Sequence, residues 1–485
     1  MYLSKEYKLI IIGGGAAGFS AAIKAELEGI KTAMIERGTL GGTCINVGCV
    51  PSKNLLGIGE NIISSNKPNY AAITLCNSSF DFTKAILDKD NLVKGLRQKK
   101  YSDVLSSFSN IDFIEGTASF ISNRKIRVIK DKFHQDDNNI ITERILLDSD
   151  KFIIATGSSP YIPSFKGIEN VDYLTNVEAL SLKEKPSSMI VIGGRALGLE
   201  FAQMFSRFGT KVTLLQRSER IIPEHEPEIS TSLRNYLINE GIDILTNVEI
   251  IELHQKNETK SVSFKDKGEL KTLETDNILI ATGREPNTKN LSVENAGVST
   301  RKKDNAIFVD LEMHTSSPNI WACGDVVGEP MLETIAAKEG AVAAENAINY
   351  THKTIDFNSI PSAIFTSPQV ASVGLTEKQT IEKYGFCSCK ILEMNQVPKA
   401  LIVNQIKGLI KMVVNPKENN KILGVHILSE MAADIIHEAI FAIKYNLTID
   451  DIIDTVHVFP TLTESIKLVA TSFKQNVEKL TCCAQ

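Results

Sequence analysis

The sequence has no surplus of positive charge: 53 lysines and arginines are set against 58 aspartates and glutamates, a formal net charge of -5 over 485 residues. Without a basic face to hold phosphate backbones or anionic lipid, nucleic acid and membrane surfaces are poor partners. Nor is there an apolar run of the ~20 residues that a membrane helix needs. The longest one near the start, Leu9 to Ile23 between Lys8 and Lys24, could pass for the apolar part of a signal peptide, but the three glycines Gly13 to Gly15 argue against that. Low-complexity tracts and short-period repeats are missing too. These absences leave a cytoplasmic globular protein whose partner is a small molecule. With 43% hydrophobic residues the chain can bury several cores, roughly two to four domains by length.

In a reducing compartment, cysteines at unusual spacing are more often redox-active or metal-binding than structural. Of the eight cysteines, two pairs stand out, Cys44/Cys49 and Cys482/Cys483. Cys76, Cys323, Cys387 and Cys389 have no such context and read as packing residues.

Residues 8 to 36 read strand, glycine turn, helix, strand, and the pattern returns at Ser188 to Gln216. Two nucleotide folds are expected. Two apolar strands ending in Ala-Thr-Gly follow, Phe152 to Gly157 and Ile278 to Gly283, and then Asn319 to Asp325. From about Asn349 the texture becomes β-rich, with Leu409 to Val414 and Ile422 to Leu428 beside a helix from Ala432 to Tyr445. This predicts a separate α+β domain.

Gly13, Gly15 and Gly18 match G-x-G-x-x-G, which lets the backbone approach a pyrophosphate at a helix N-terminus. Glu36, at the end of the next strand, would accept hydrogen bonds from a ribose diol, so this site suits an adenosine without a 2′-phosphate. In the second unit, Gly193-Gly-Arg-Ala-Leu-Gly198, Arg195 replaces the middle glycine. The arginine either folds aside and adds positive charge near the phosphates, or weakens the site. At the strand end Gln216 replaces the acid and Arg217 and Arg220 follow, which suits the 2′-phosphate of NADPH over NADH.

Leu40-Gly-Gly-Thr-Cys44-Ile-Asn-Val-Gly-Cys49-Val-Pro-Ser-Lys53 follows closely on the first unit. In a regular helix, α-carbons five residues apart lie roughly 8.6 Å from each other, and a disulfide needs about 7 Å or less. Bridging requires a break between the cysteines, which Gly48 permits. A helix from Pro51 to Glu60 would favour a thiolate at Cys49 through its N-terminus. Lys53 can reach a flavin, and Glu200 is a candidate ion partner for it.

Over essentially its full length the chain resembles the pyridine nucleotide disulfide oxidoreductases, on the strength of Cys44 to Lys53, both Ala-Thr-Gly strands and Cys323-Gly-Asp325. The resemblance implies an α/β homodimer with two Rossmann-like domains, the second inserted in the first, and a C-terminal α+β dimerisation domain. The expected boundaries are 1–165 and 275–348 for FAD, 166–274 for NADPH and 349–485 for the interface. It implies further cofactor contacts at Gly42, Thr43, Lys53, Thr156, Gly157, Gly283, Gly324 and Asp325. Ordinary dithiol reductases of the family carry a His-Pro near the C-terminus as acid/base. Here Phe459 precedes Pro460, and His457 stands two residues earlier.

The tail pair Cys482-Cys483, together with Val212 to Arg220 and Val397-Pro-Lys-Ala, resembles the mercury-reducing branch of that family. Hg(II), presented as a thiol complex, is then the implied substrate, with Cys44, Cys49, Cys482 and Cys483 as its ligands. That branch's N-terminal metal-binding module is not found, and Thr334 and Phe459 stand where its metal-site tyrosines are expected. An NADPH-dependent disulfide reductase of the thioredoxin reductase or dihydrolipoamide dehydrogenase type, and a thiol-based metal scavenger with a structural flavin, stay open.

Overall fold

The computed structural model describes residues 3–66, 70, 72, 79–134 and 139–479. The chain divides into two compact units. One joins Met1–Pro51, Leu87–Tyr161 and Gly283–Ile355; the other joins Ser52–Ile86, Ile162–Thr282 and Asp356–Gln485.

The first unit holds a five-stranded parallel sheet in the order Ile320–Ala322, Phe152–Ile154, Leu9–Ile12, Thr32–Glu36, Ile111–Glu115. Leu9 to Ile12 is an unbroken apolar run because both faces of a parallel sheet are covered. The strand ends at Gly13, whose φ of 120° and whose position against the Ala155 carbonyl, 2.1 Å from where a Cβ would lie, admit only glycine. The helix Ala16–Leu27 starts there and packs on the helix Glu333–Asn349. Gly340 makes that approach possible, since a Cβ on it would stand 2.0 Å from the Ala17 carbonyl oxygen.

A second sheet in this unit runs Leu3–Tyr7, Asn139–Ser149, Lys125–His134, Thr117–Ser122. The rings of Phe120 and Phe152, both fully buried, meet edge to face at 5.3 Å. Burial of each such ring contributes roughly 1.5–3 kcal/mol.

The other unit contains a four-stranded parallel sheet, Asp243–Thr246, Lys211–Gln216, Ser188–Ile192, Asn277–Ile280, and a three-stranded antiparallel sheet over Val248–Lys256, Thr259–Asp266 and Glu269–Thr275. It also contains a five-stranded antiparallel sheet, Ser362–Ile364, Gln369–Gly374, Lys421–Ser429, Leu409–Asn415, Ser388–Glu393. The helix Ala432–Lys444 packs its Ile435, Ile436 and Ala439 face on that sheet. The architecture is mixed α/β, with two nucleotide-type parallel sheets and an α+β part.

Two strands are shorter than the sequence suggests. The Ala-Thr-Gly segments leave the sheets at Ile154 and Ile280. At the first, Thr156 Oγ donates to the Asn287 carbonyl at 2.8 Å, and Asn287 Nδ2 returns a bond to the Thr156 carbonyl at 2.9 Å. The Thr156 side chain thus ties two loops together instead of extending a strand. Among the described residues no helix is long and apolar enough to cross a membrane.

Candidate functional site

The first glycine turn ends in a helix whose cap, Gly15, offers no side-chain hydrogen bond, so its first N–H groups are open to a ligand. Glu36 binds the turn from the next strand: its Oε2 accepts from Gly14 N at 2.6 Å and its Oε1 from Gly38 N at 2.7 Å. A carboxylate has about four acceptor positions, so ribose hydroxyls can still be received. A cavity of about 330 Å³ is lined by Gly15, Glu36, Thr43, Cys44, Asp325 and Glu333 among others. Gly157 has nothing within 4 Å of a notional Cβ. An uncapped helix start, a free carboxylate edge and a glycine-lined cavity fit an adenine dinucleotide.

Gly41 and Gly42, at φ 96° and 66°, reverse the chain out of this turn. The short helix Gly42–Val47 carries Cys44. Gly48 breaks it at φ -128°, ψ -119°, and a new helix runs Cys49–Asn66. This second helix starts two residues earlier than the sequence suggests, so Cys49 sits in its first turn, where the helix dipole favours a thiolate most strongly.

Cys44 is half-buried and Cys49 exposed. A hydrogen bond with Cys49, then burial and the carboxylate of Glu333, push the Cys44 thiol far above its ordinary range. The Glu333 carboxyl is itself raised by burial, an effect the bond from Cys44 opposes. Arg284 lies within electrostatic reach of Cys49 and donates to Ser158 Oγ at 2.7 Å. Asp325 accepts from Ser158 Oγ at 2.5 Å.

The second glycine turn repeats the first with one change. Arg195 caps the helix Ala196–Arg207 at φ -99°, ψ -172°, extended backbone that any residue adopts, so the replacement of the middle glycine strains no backbone. Its side chain is 57% exposed and turns to Glu224 at 3.6 Å. The arginine folds aside and stays at the turn. Gly193 and Gly198 keep their steric roles, with notional Cβ contacts of 2.2 Å and 1.9 Å to the Ala281 and Gly193 carbonyl oxygens. Gln216 Oε1 accepts from Gly194 N at 2.8 Å. Arg217 is exposed, and Nη1 of Arg220 is buried without a partner, so a phosphate at this strand end has donors to meet.

Lys53 and Glu200 form an ion pair at 2.6 Å, with Lys53 over the Phe365 ring at 4.8 Å. Glu200 is buried and also accepts from Phe365 N at 2.9 Å. His457 lies in irregular chain, not on a strand. Its Nε2 contacts Glu438 Oε1 at 2.8 Å and its Nδ1 the Thr455 carbonyl at 3.0 Å, so both ring nitrogens are engaged. Phe459 and Thr334 are exposed. Cys76, Cys482 and Cys483 lie outside the described residues.

Residues 7–340 match the description Pyridine nucleotide-disulphide oxidoreductase, and residues 360–470 match the dimerisation domain of the same proteins. The chain belongs to the pyridine nucleotide-disulphide oxidoreductase family. As such it is an enzyme, and the family implies FAD and a pyridine nucleotide. It is 41% identical to a mercuric reductase of Staphylococcus aureus over 99% of this chain and 84% of that one. A mercuric reductase of Lysinibacillus sphaericus is also 41% identical, with the same coverage. Among solved structures, a Cu(II) complex of an HOCl-induced flavoprotein disulfide reductase from Escherichia coli superposes with a TM-score of 0.84 at 28% identity, covering 97% of this chain and 100% of that one.

Sequence reasoning missed three residues of this oxidoreductase's thiol site. Glu333 meets Cys44, and the only hint was the alanine-rich helix Glu333–Asn349, whose small side chains allow close packing on its neighbour. Tyr101 sits in a π-helical turn, Gln98–Ser102, a form that concentrates at functional sites. Burial, followed by the charges of Glu333, Cys44 and Cys49, pushes its hydroxyl up to about 12. Arg284 was hidden because only its neighbour Gly283 belonged to a motif. For Cys387 and Cys389 the packing reading needs correction: both are half-buried, with sulfurs 3.3 Å apart.

Proposed function

We propose that this oxidoreductase is an NADPH-dependent mercury(II) reductase, with the overall reaction NADPH + Hg(II) → NADP⁺ + H⁺ + Hg(0). The observation that carries the reading is Cys44 on the wall of the cavity it shares with Gly15 and Glu36, hydrogen-bonded to Cys49 at the start of the next helix, taken with relatives at 41% identity that are called mercuric reductase. When bound, FAD passes the electron pair from the nicotinamide to the thiol pair or to the metal ion it holds.

The residues divide the work as follows. Gly13, Gly15, Gly18 and Glu36 hold the adenosine and pyrophosphate of FAD. Gly42, Thr43, Thr156, Gly157, Gly283, Gly324 and Asp325 line its remaining length. Gly193, Arg195, Gly198, Gln216 and Arg217 bind NADPH, and Lys53, paired with Glu200, supplies a positive charge to the flavin. The Cys44 thiol is pushed up beside Cys49 and Glu333, and Cys49, within electrostatic reach of Arg284 and in the first turn of a helix, is the sulfur that acts on the flavin side. Two thiolates then hold Hg(II) until it is reduced.

Cys482 and Cys483 deliver the metal from the partner's tail in a cytoplasmic homodimer. The domains are 1–165 with 275–348 for FAD, 166–274 for NADPH and 349–485 for the interface. The exposed Val456, Val458 and Phe459 support that interface, since such a run of apolar side chains is normally covered.

A disulfide-reductase reading draws on the likeness to the Escherichia coli enzyme. The occupied nitrogens of His457 and the phenylalanine before Pro460 leave it without the family's usual proton donor. The test is NADPH oxidation by purified holoenzyme with Hg(II) and excess thiol, compared with lipoamide, glutathione disulfide and thioredoxin. Sustained turnover with Hg(II) alone is expected. Sustained turnover with a disulfide and none with Hg(II) would assign the enzyme to the reductases of disulfides.

A further inference from the structure

The helix Glu377–Tyr384 ends at Gly385, whose φ of 78° turns the chain back into the strand Ser388–Glu393. Cys389 is the second residue of that strand and Cys387 stands just before it. Their sulfurs lie 3.3 Å apart, and Cys387 Sγ lies 3.9 Å from Glu377 Oε1. The three ligand atoms are all within 4.8 Å of one another, and each residue is partly exposed, so an ion can enter from solvent.

Glu377 is held in place from behind. Its Oε2 binds Lys411 Nζ at 2.7 Å, which leaves Oε1 toward the sulfurs. Lys411 is buried at 1% exposure and also meets Glu226 at 2.9 Å and Glu228 at 3.0 Å. Three carboxylates around one ammonium leave two uncompensated negative charges beside the thiols. A cation at the sulfurs would offset that excess, whereas two ionised thiols without one would increase it.

We propose that Glu377, Cys387 and Cys389 form a second metal site, separate from Cys44/Cys49, for a thiophilic d10 divalent ion in tetrahedral coordination, Zn(II) or its analogue Cd(II). Two sulfurs select such an ion over magnesium or calcium, and one carboxylate oxygen and a water complete four ligands. Tetrahedral zinc with Zn–S bonds near 2.3 Å places its sulfurs about 3.8 Å apart. The present separation reaches this by a small side-chain rotation. A linear S–Hg–S unit would need a much wider spacing, so this site and the mercury chemistry call for different ions. Binding is a proton exchange, M(II) + 2 RSH → M(SR)₂ + 2 H⁺, with no change of oxidation state.

The test uses the full chain with FAD bound, reduced, and with Cys44, Cys49, Cys482 and Cys483 replaced by serine to silence the other pairs. Titration with Cd(II) should bind one ion per chain with an ultraviolet sulfur-to-cadmium charge-transfer band and release two protons. Adding Cys387→Ser and Cys389→Ser should abolish the band, and Glu377→Gln should weaken binding about tenfold. The flavin spectrum reports that each variant is folded. In the otherwise unaltered enzyme, Cys387→Ser/Cys389→Ser should leave NADPH oxidation with Hg(II) at its parent rate. A band that survives the double serine variant, or no band at all in the reduced protein, overturns the site. So does a Cys387–Cys389 disulfide that persists under reductant.

Discussion

Gln216 accepts the Gly194 N–H at 2.8 Å, in the seat that Glu36 takes on Gly14 at 2.6 Å. The amide supports the turn as the acid does, but it adds no charge that would repel a 2′-phosphate. NADPH should therefore be used with higher kcat/KM than NADH. Arg217→Glu should lower the NADPH value about tenfold or more, the loss expected for a charge-assisted contact, and change the NADH value little. Equal use of both cofactors by the parent enzyme would contradict this.

The thiol roles follow from the break at Gly48. Two-electron reduction of the holoenzyme should give a long-wavelength absorbance from the Cys49 sulfur against FAD. Cys49→Ala should lose that band and Cys44→Ala should keep it. The opposite pattern would exchange the roles of the two sulfurs.

The carboxylate of Glu333 adds to the upward push on the Cys44 thiol. With Cys49 replaced by alanine so that Cys44 alone is followed, Glu333→Gln should move the pH profile of Cys44 alkylation toward acid and speed the reaction at neutral pH. An unchanged profile would remove Glu333 from the site.

Glu339, behind the Gly324 turn, has its carboxyl pushed up to about 7 by burial, although it accepts from Gly324 N at 2.6 Å. A raised folded pKa means the folded state favours the protonated form. Its contribution is complete below the ordinary carboxyl range and is lost as pH rises through about 7. The swing is on the order of 3 kcal/mol. Thermal unfolding should show stability falling over that interval in the parent, and Glu339→Gln should flatten the dependence while keeping an acceptor for Gly324.

The glycine turns were legible because Gly13 and Gly18 answer to local steric demands that the sequence spells out. The Cys44/Cys49 pair was legible in its spacing, since bridging two cysteines five apart needs a helix break, which Gly48 permits and where the helix does break. Arg195 was ambiguous in sequence, because the sequence shows neither its extended backbone nor the turn of its side chain to Glu224. Glu333 and Tyr101 were not legible: they reach the thiols through helix packing across more than 50 residues of chain, and no short-range pattern records such a contact. Cys387 and Cys389 looked like packing residues because nothing in a Cys-Ser-Cys strand start reveals that Glu377 folds back onto it.

The most direct measurement of the central claim is elemental mercury released per NADPH consumed, with Hg(II) supplied as a thiol complex to the purified holoenzyme. One Hg(0) in the headspace is expected for each NADPH over many turnovers, and none from Cys44→Ala/Cys49→Ala. Stoichiometric binding of Hg(II) with no Hg(0) evolved, or NADPH oxidation that yields only reduced oxygen, would contradict it.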